Sequence, residues 1–131
     1  MIDFGRFRKA IDRKNAAAFT LERTRARATK ITTTITGQPR GTSTGKQVED
    51  GVIQIMQAEE ALQARREELQ VFKDALEAEM GKLADERQEK FMRCRYLEEI
   101  SVPNIAIKES YSESTVYEEI RKAEKLINRA R

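Results

Sequence analysis

The chain has 131 residues and a formal net charge of +3, with 36% charged residues and only 6% aromatic residues. This balance favours long solvated helices over a thick core built from sheets. The single cysteine, Cys94, excludes an internal disulfide, and without any histidine the chain has no His/Cys cluster for zinc. We therefore expect an all-helical protein that holds no metal and no other cofactor.

Nothing in the sequence indicates a targeting segment or a membrane span. The first 18 residues carry five basic side chains among the apolar ones, unlike the apolar core of a signal peptide. No stretch approaches the roughly 20 apolar residues that a span requires. We therefore expect a soluble, intracellular protein with no membrane partner.

The first helix is predicted from Phe4 to a boundary near Gly37, because apolar or small residues recur at alternating steps of three and four. These residues are Phe4, Phe7, Ile11, Ala18, Leu21, Ala28 and Ile35. Residues 37–46 contain three glycines, a proline and several small polar residues, so they are predicted to form a flexible linker.

Basic residues are concentrated at the start of the chain. Residues 1–46 hold eleven Lys and Arg against three Asp and Glu, whereas residues 47–100 hold eight against fourteen. Such asymmetry indicates an anionic partner and gives a set of candidate phosphate contacts. These are Arg6, Arg8, Lys9, Arg13, Arg23, Arg25 and Arg27. The alternatives are a solvated face, or pairing with acidic residues of an antiparallel second helix, namely Glu59, Glu60, Glu67 and Glu68.

The strongest periodic signal follows, as an apolar residue at every seventh position. This stripe consists of Val48, Ile55, Leu62, Leu69, Leu76 and Leu83. Its companion row, which includes Gly51, Arg65 and Glu79, is too polar for a self-sufficient two-stranded coiled coil. We therefore expect the stripe to pack on the first helix, giving a long antiparallel helical hairpin over residues 1–82 that serves as an assembly arm in a homo-oligomer. Gly81 is the predicted break.

Residues 83–131 are predicted to form a second domain of three helices. The first covers residues 85–99, the second starts at Ser101 with Pro103 in its first turn, and the third starts at Ser112 and runs almost to Arg131. A short helix, a break of about three residues and a longer helix have the layout of a helix-turn-helix, whose second helix enters the major groove of DNA. A plain helical hairpin fits the same pattern.

The candidate DNA contacts lie on the last helix, because hydroxyl groups can bond phosphates or base edges and basic groups suit phosphate oxygens. They are Ser112, Glu113, Ser114, Thr115, Tyr117, Arg121 and Lys122. Glu118 and Glu119 work against this contact, since carboxylates repel phosphates. Paired carboxylates elsewhere lack the flanking groups that tune a general acid and base apart, so we expect neither enzymatic activity nor a small-molecule substrate.

Residues 95–98, 105–106 and 111–117 read RYLE, IA and YSESTVY. They resemble the C-terminal module of the RinA/ArpU-like phage late-gene transcription regulators, which is similar to the fourth region of bacterial sigma factors. The chain departs from the family pattern at residues 102–103 and 109–110. The resemblance implies a phage-encoded regulator that binds double-stranded DNA at late-gene promoters, in the cytoplasm and nucleoid of a bacterial host. Host RNA polymerase is a second candidate partner of the last helix.

Two other functions are compatible with the sequence. One is a structural or adaptor protein, such as a phage packaging or assembly factor, whose working surface is the hairpin and whose C-terminal helices cap it. The other is a regulator that uses the apolar stripe to sequester a helical protein. Salt-sensitive binding of duplex DNA would separate the DNA-binding regulator from both.

Overall fold

A computed structural model describes residues 1–36 and 41–129, with side chains described for residues 1–29 and 48–129. Within these ranges the chain is all-helical, as predicted, and contains no strand. Its five α-helices are α1 (Phe4–Thr36), α2 (Gly41–Glu79), α3 (Glu86–Met92), α4 (Val102–Glu109) and α5 (Glu113–Asn128). No helix in the described ranges combines the length and apolar character that crossing a membrane requires.

Helix α1 begins where Asp3 caps it. The Asp3 carboxylate accepts a hydrogen bond from the amide of Arg6 at 3.1 Å, which satisfies one of the orphan donors of the first turn. Threonines inside the helix bond the carbonyl oxygen four residues earlier, as Thr24 does with Thr20 at 2.8 Å, so their hydroxyls are satisfied without ending the helix. The end at Thr36 agrees with the predicted boundary near Gly37.

The predicted linker at residues 37–46 is wrong in its second part, because α2 already begins at Gly41. Residues 37–40 lie outside the described residues. The connection between the two helices of the predicted hairpin therefore also lies outside them. A glycine costs a helix only about 1 kcal/mol relative to alanine, so the glycines at positions 41 and 45 do not by themselves exclude a helix.

The chain divides into two compact units. The first unit comprises Met1–Ile11 with Leu69–Arg131, and the second comprises Asp12–Glu68. The boundaries therefore fall after Ile11 and Glu68, whereas the sequence analysis divides the chain after residue 82. Buried apolar residues at the start of α1 explain the difference, because they join the core formed by the C-terminal helices.

The core of the first unit is built around aromatic rings. Phe7 is fully buried, and the centre of its ring lies 4.7 Å from that of Tyr96 and 5.4 Å from that of Phe72. Burying a side chain of this size contributes roughly 1.5–3 kcal/mol relative to leaving it exposed. The other fully buried large side chains include Phe91, Leu76, Ile105 and Val116.

The two last helices share part of this core. Ile105, Ala106, Val116 and Ile120 are all buried. Ile107, in contrast, is 79% exposed and lies outside the core. It follows Ile105 by two positions, which on a helix is nearly the opposite face.

Short irregular turns set the directions of the C-terminal helices. Met80–Lys82 forms a 3-10 turn at the predicted break. Asp85 caps α3 by accepting from the amide of Arg87 at 2.8 Å, and α3 continues into a π-helical turn, Arg93–Leu97, that the sequence did not indicate. Ser110 ends α4 in the left-handed conformation, with φ of 59°.

The first and last parts of the first unit are tied together through Asn128. Its side-chain oxygen accepts from the amide of Ile2 at 2.8 Å, and its side-chain nitrogen donates to the carbonyl oxygen of Ile2 at 2.9 Å. One side chain thus satisfies both backbone groups of Ile2.

In the second unit, α1 and α2 contribute antiparallel segments. Arg13 contacts Glu68 at 3.4 Å and Arg25 contacts Glu59 at 3.1 Å, so later positions on one segment meet earlier ones on the other. The apolar stripe is buried at Leu62, as it also is at its members in the first unit. It is 40% exposed at Val48, which the predicted packing did not anticipate.

Candidate nucleic-acid interface

The start of α5 is fixed by the hydroxyl group of Ser112. Its Oγ accepts a hydrogen bond from the amide of Thr115 at 3.2 Å and lies 2.8 Å from Thr115 Oγ1. Ser112 is therefore the N-cap that the sequence indicated. Thr115 is half-buried and its hydroxyl is engaged in the cap. To contact a base, that hydroxyl would have to exchange its bond to Ser112.

The other candidate DNA contacts on α5 are exposed. They are Glu113, Ser114, Tyr117, Arg121 and Lys122. Tyr117, at 57% exposure, and Arg121 are separated by four positions, so they are neighbours along one side of the helix. Both residues on this side of α5 are therefore exposed to solvent.

Glu119 does not belong to that surface. It is buried, and its carboxylate accepts from Arg87 at 2.9 Å and from Gln88 at 3.1 Å. It therefore links α5 to α3, instead of facing a phosphate as the sequence analysis assumed. Lys122 approaches the same carboxylate at 3.6 Å, which partly neutralises its charge toward a ligand.

Most cations of the first unit have a carboxylate partner of their own. Lys73 contacts Glu99 at 3.0 Å, and Lys90 contacts Glu109 at 2.8 Å. Among the described residues of this unit, five cations have no carboxylate oxygen within 4.0 Å. These are Lys9, Arg95, Arg121, Lys125 and Arg129.

Four of these five cations are grouped around Arg121. Arg121 and Arg95 line one groove, and Arg121, Lys125 and Arg129 line another. Cations without local counter-charges keep their full attraction for an external anion, and grouping them raises the local potential. Asp3 and Glu124 also line the second groove, but each is already paired with an arginine. The unpaired cations therefore leave this part of the surface suited to an anionic ligand.

The predicted phosphate contacts near the start of α1 are partly engaged. Arg6 lies 3.6 Å from Asp3, and both side chains are exposed. Arg8 donates to the hydroxyl of Tyr96 at 2.8 Å and to Glu124 at 3.0 Å, whereas Lys9 is exposed and unpaired. Arg8 is thus part of a structural cluster in the first unit.

The predicted phosphate contacts in the second unit behave differently from one another. Arg13 and Arg25 pair with acidic residues of α2, which confirms the alternative of pairing with the second helix for these two. Arg23 stacks over the ring of Phe19 at 5.8 Å. Arg27 is exposed and has no carboxylate partner among the described residues.

Tyr96 is the centre of the cluster that engages Arg8. It is fully buried, accepts from Arg8 and donates to the carboxylate of Glu124. Burial, together with the hydrogen bond to Glu124, raises the pKa of the Tyr96 phenol, so the phenol stays protonated at neutral pH. Because the phenol is neutral, the positive charge of Arg8 is compensated by the negative charge of Glu124 within the first unit.

The site residues predicted from the sequence do not include Arg95, Lys125 and Arg129. A signal for two of them was present, because Tyr117, Arg121, Lys125 and Arg129 follow one another at steps of four. No comparable signal marks Arg95, whose neighbourhood depends on how the π-helical turn packs.

The described residues show no group of three or more His, Cys, Asp or Glu side chains that could hold a metal ion. Cys94 is buried, and burial raises the pKa of its thiol. Compared with known protein families, with curated proteins and with solved structures, the chain gives no match.

Proposed function

We propose that this protein is a phage-type transcription regulator that binds double-stranded DNA through a helix-turn-helix formed by α4 and α5, and that it controls late genes. The observation that carries the proposal is the group of unpaired cations around Arg121, next to the exposed Tyr117. The short α4, the break at residues 110–112 and the longer α5 have the order of elements that this motif requires.

In this proposal, the two halves of α5 have different roles. The first half carries the exposed hydroxyl groups of Ser114 and Tyr117 with the carboxylates of Glu113 and Glu118, a mixture suited to base edges more than to phosphates. The second half carries Arg121 and Lys125, which suit phosphate oxygens. The phosphate contact predicted for Arg121 is thus extended to Lys125, one helical turn further along α5.

The protein acts by binding and not by catalysis in this proposal. The long helices α1 and α2 serve as an assembly arm of a homo-oligomer, and two copies of α5 then meet two half-sites on the DNA. Host RNA polymerase is a second partner that the same arm or α5 can contact.

The test is salt-dependent binding of duplex DNA by the purified full chain. We expect the logarithm of the affinity to fall linearly with the logarithm of salt concentration, since bound cations release counterions from DNA. Arg121→Ala should weaken binding to all sequences alike and reduce the slope by about one unit. Lys90→Ala is the matched control, because Lys90 is exposed but already paired with Glu109. A folded parent protein without salt-dependent DNA binding would overturn the proposal.

Sequence preference provides a second, independent readout. After selection of a preferred site from random duplex DNA, Tyr117→Ala should cost about 1–3 kcal/mol on that site and little on random DNA. Glu118→Gln should strengthen binding to random DNA, because it removes an exposed carboxylate from the same helix. Unchanged selectivity in the Tyr117 variant would restrict α5 to backbone contacts.

One observation favours a structural or adaptor role as the second candidate function. Val48, Val52, Ile53 and Met56 on α2 are all exposed apolar residues, and three of them follow at steps of four along one side of the helix. In this role the second unit captures a helical partner. Val52→Asp would then abolish partner binding and leave DNA binding by the first unit unchanged.

A further inference from the structure

A groove of about 360 Å³ lies in the first unit between the start of α4 and the exposed side of α5. Arg95 from the π-helical turn and Arg121 from α5 both line it. Neither has a carboxylate within 4.0 Å among the described residues. Two guanidinium groups that have no ion pair with a described residue therefore line one groove.

The one carboxylate in this groove is already compensated. Glu124 contributes to the lining, but it is held by Arg8 at 3.0 Å and by the hydroxyl of Tyr96. Because Arg8 and Glu124 cancel each other's charge, the positive charges of Arg95 and Arg121 determine the electrostatic character of the groove.

Arg95 is held in place although it has no ion pair. Its guanidinium lies 5.7 Å from the centre of the Tyr96 ring, and Tyr96 is itself fully buried. Stacking of this kind stabilises the cation and limits its freedom while its N–H donors stay available. An arginine that is already ordered loses less entropy when it binds an anion.

The groove also contains a hydroxyl group that its own helix does not use. Ser101 occupies the N-cap position of α4, with extended backbone (φ −70°, ψ 155°), but its side chain makes no capping hydrogen bond. Ser101 and Tyr117 both line the groove and are exposed. The groove thus offers two hydroxyl donors beside two guanidinium groups, a set that matches the several acceptor oxygens of a phosphate.

We propose that this groove binds one phosphate group, supplied by the DNA backbone, between Arg95 and Arg121 with a hydrogen bond from Ser101. This inference rests on the proposed function and adds to it a contact outside α4 and α5. A phosphate held at this point fixes the position of α5 along the duplex, since Tyr117 lies in the same groove.

The test compares variants that differ only in the groove, each checked by circular dichroism for an unchanged helical spectrum. Arg95→Gln should weaken binding of a random duplex roughly tenfold, because a hydrogen-bonded cation is lost, and should lower the salt slope by about one unit. Ser101→Ala should weaken binding about threefold to tenfold with an unchanged slope, since it removes one neutral hydrogen bond. Arg93→Gln is the matched control, because Arg93 lies on the same turn but contacts Glu77 and Glu89.

The results separate this inference from the function on which it rests. If Arg95→Gln keeps the slope of the parent protein while Arg121→Ala lowers it, the phosphate site is overturned and DNA binding stands. If the parent protein does not bind DNA, inorganic phosphate is the probe, with the Nε–H signals of Arg95 and Arg121 observed by NMR. Shifts that need a threefold to tenfold higher phosphate concentration in the Ser101→Ala variant would support a phosphate site with a source other than DNA, whereas absent shifts in the parent protein would overturn the site.

Discussion

The two units of the chain use the same two long helices in different ways. In the first unit, the residues at the start of α1 and the end of α2 bury aromatic and aliphatic side chains such as Phe7 and Leu76 completely. In the second unit, Leu21 and Leu62 are buried, while Phe19 and Met56 are exposed. A helix gains most of its stability from the face that it buries, so continuous helical structure does not imply uniform stability along the chain.

The heptad stripe of α2 shows the same difference within one pattern. Val48 is 40% exposed, Ile55 is half-buried and Leu62 is buried. The seven-residue spacing determines which side of the helix these residues share, and it is identical throughout. The depth of burial depends on which residues pack against that side, and the spacing alone does not predict them.

The largest expected effect separates two phenylalanines of α1. Phe7→Ala should lower the free energy of unfolding by about 3–5 kcal/mol, because a fully buried ring leaves a cavity among other rings. Phe19→Ala, in the same helix but 60% exposed, should change it by less than about 0.5 kcal/mol. Urea denaturation of both variants measures the difference. Equal losses of unfolding free energy in both variants would contradict the difference in burial between the two units.

A smaller effect is expected at two neighbouring glutamates of α5. Glu119→Ala should cost about 1–3 kcal/mol, since Gln88 and Arg87 then lose a buried acceptor. Glu118→Ala is the control, because Glu118 is exposed. The melting temperatures of the two variants measure the difference. Equal melting temperatures would contradict the role assigned to Glu119.

The cap of α5 should give an effect of about 1 kcal/mol. Ser112→Ala removes the acceptor of the Thr115 amide and also frees the hydroxyl of Thr115. Ser114→Ala, two positions later and exposed, should leave the free energy of unfolding nearly unchanged. Thermal unfolding followed by circular dichroism is sufficient, and a more stable Ser112 variant would be inconsistent with the cap.

The smallest effect is expected among the exposed apolar residues of α2, which include Val48, Val52, Ile53 and Met56. At low protein concentration, Val52→Ser should change the free energy of unfolding by less than about 0.5 kcal/mol, because Val52 is exposed. A loss that appears only at tens of micromolar would mean that another copy covers these residues, as the predicted homo-oligomer requires. Light scattering across the same concentration range reports the oligomeric state directly.

Local signals predicted the elements of the fold well. The start of α1 at Phe4, the break near Gly81 and the cap at Ser112 each depend on a few adjacent residues, and all three are present in the structure. The linker failed in its second part because glycine is only a weak helix breaker and composition alone cannot decide between helix and coil.

The candidate site was less predictable because pairing depends on tertiary contacts. Glu119 and Glu118 are adjacent in sequence, yet only Glu119 is buried against α3. Arg8 resembled the other basic residues of α1, but Tyr96 and Glu124, about 90 to 120 positions later, engage it. The cations with no carboxylate partner can be identified only after every such pair is known.

The contact between Asn128 and Ile2 has a consequence for the order in which the chain folds. The two residues are 126 positions apart, so their hydrogen bonds close a loop that spans nearly the whole described chain. Bringing such distant segments together lowers the entropy of the chain before their contacts contribute any stabilising free energy. During synthesis, the start of α1 must wait for the residues of α5 to leave the ribosome before the first unit can assemble. The second unit finds its partners within Asp12–Glu68 and can form earlier.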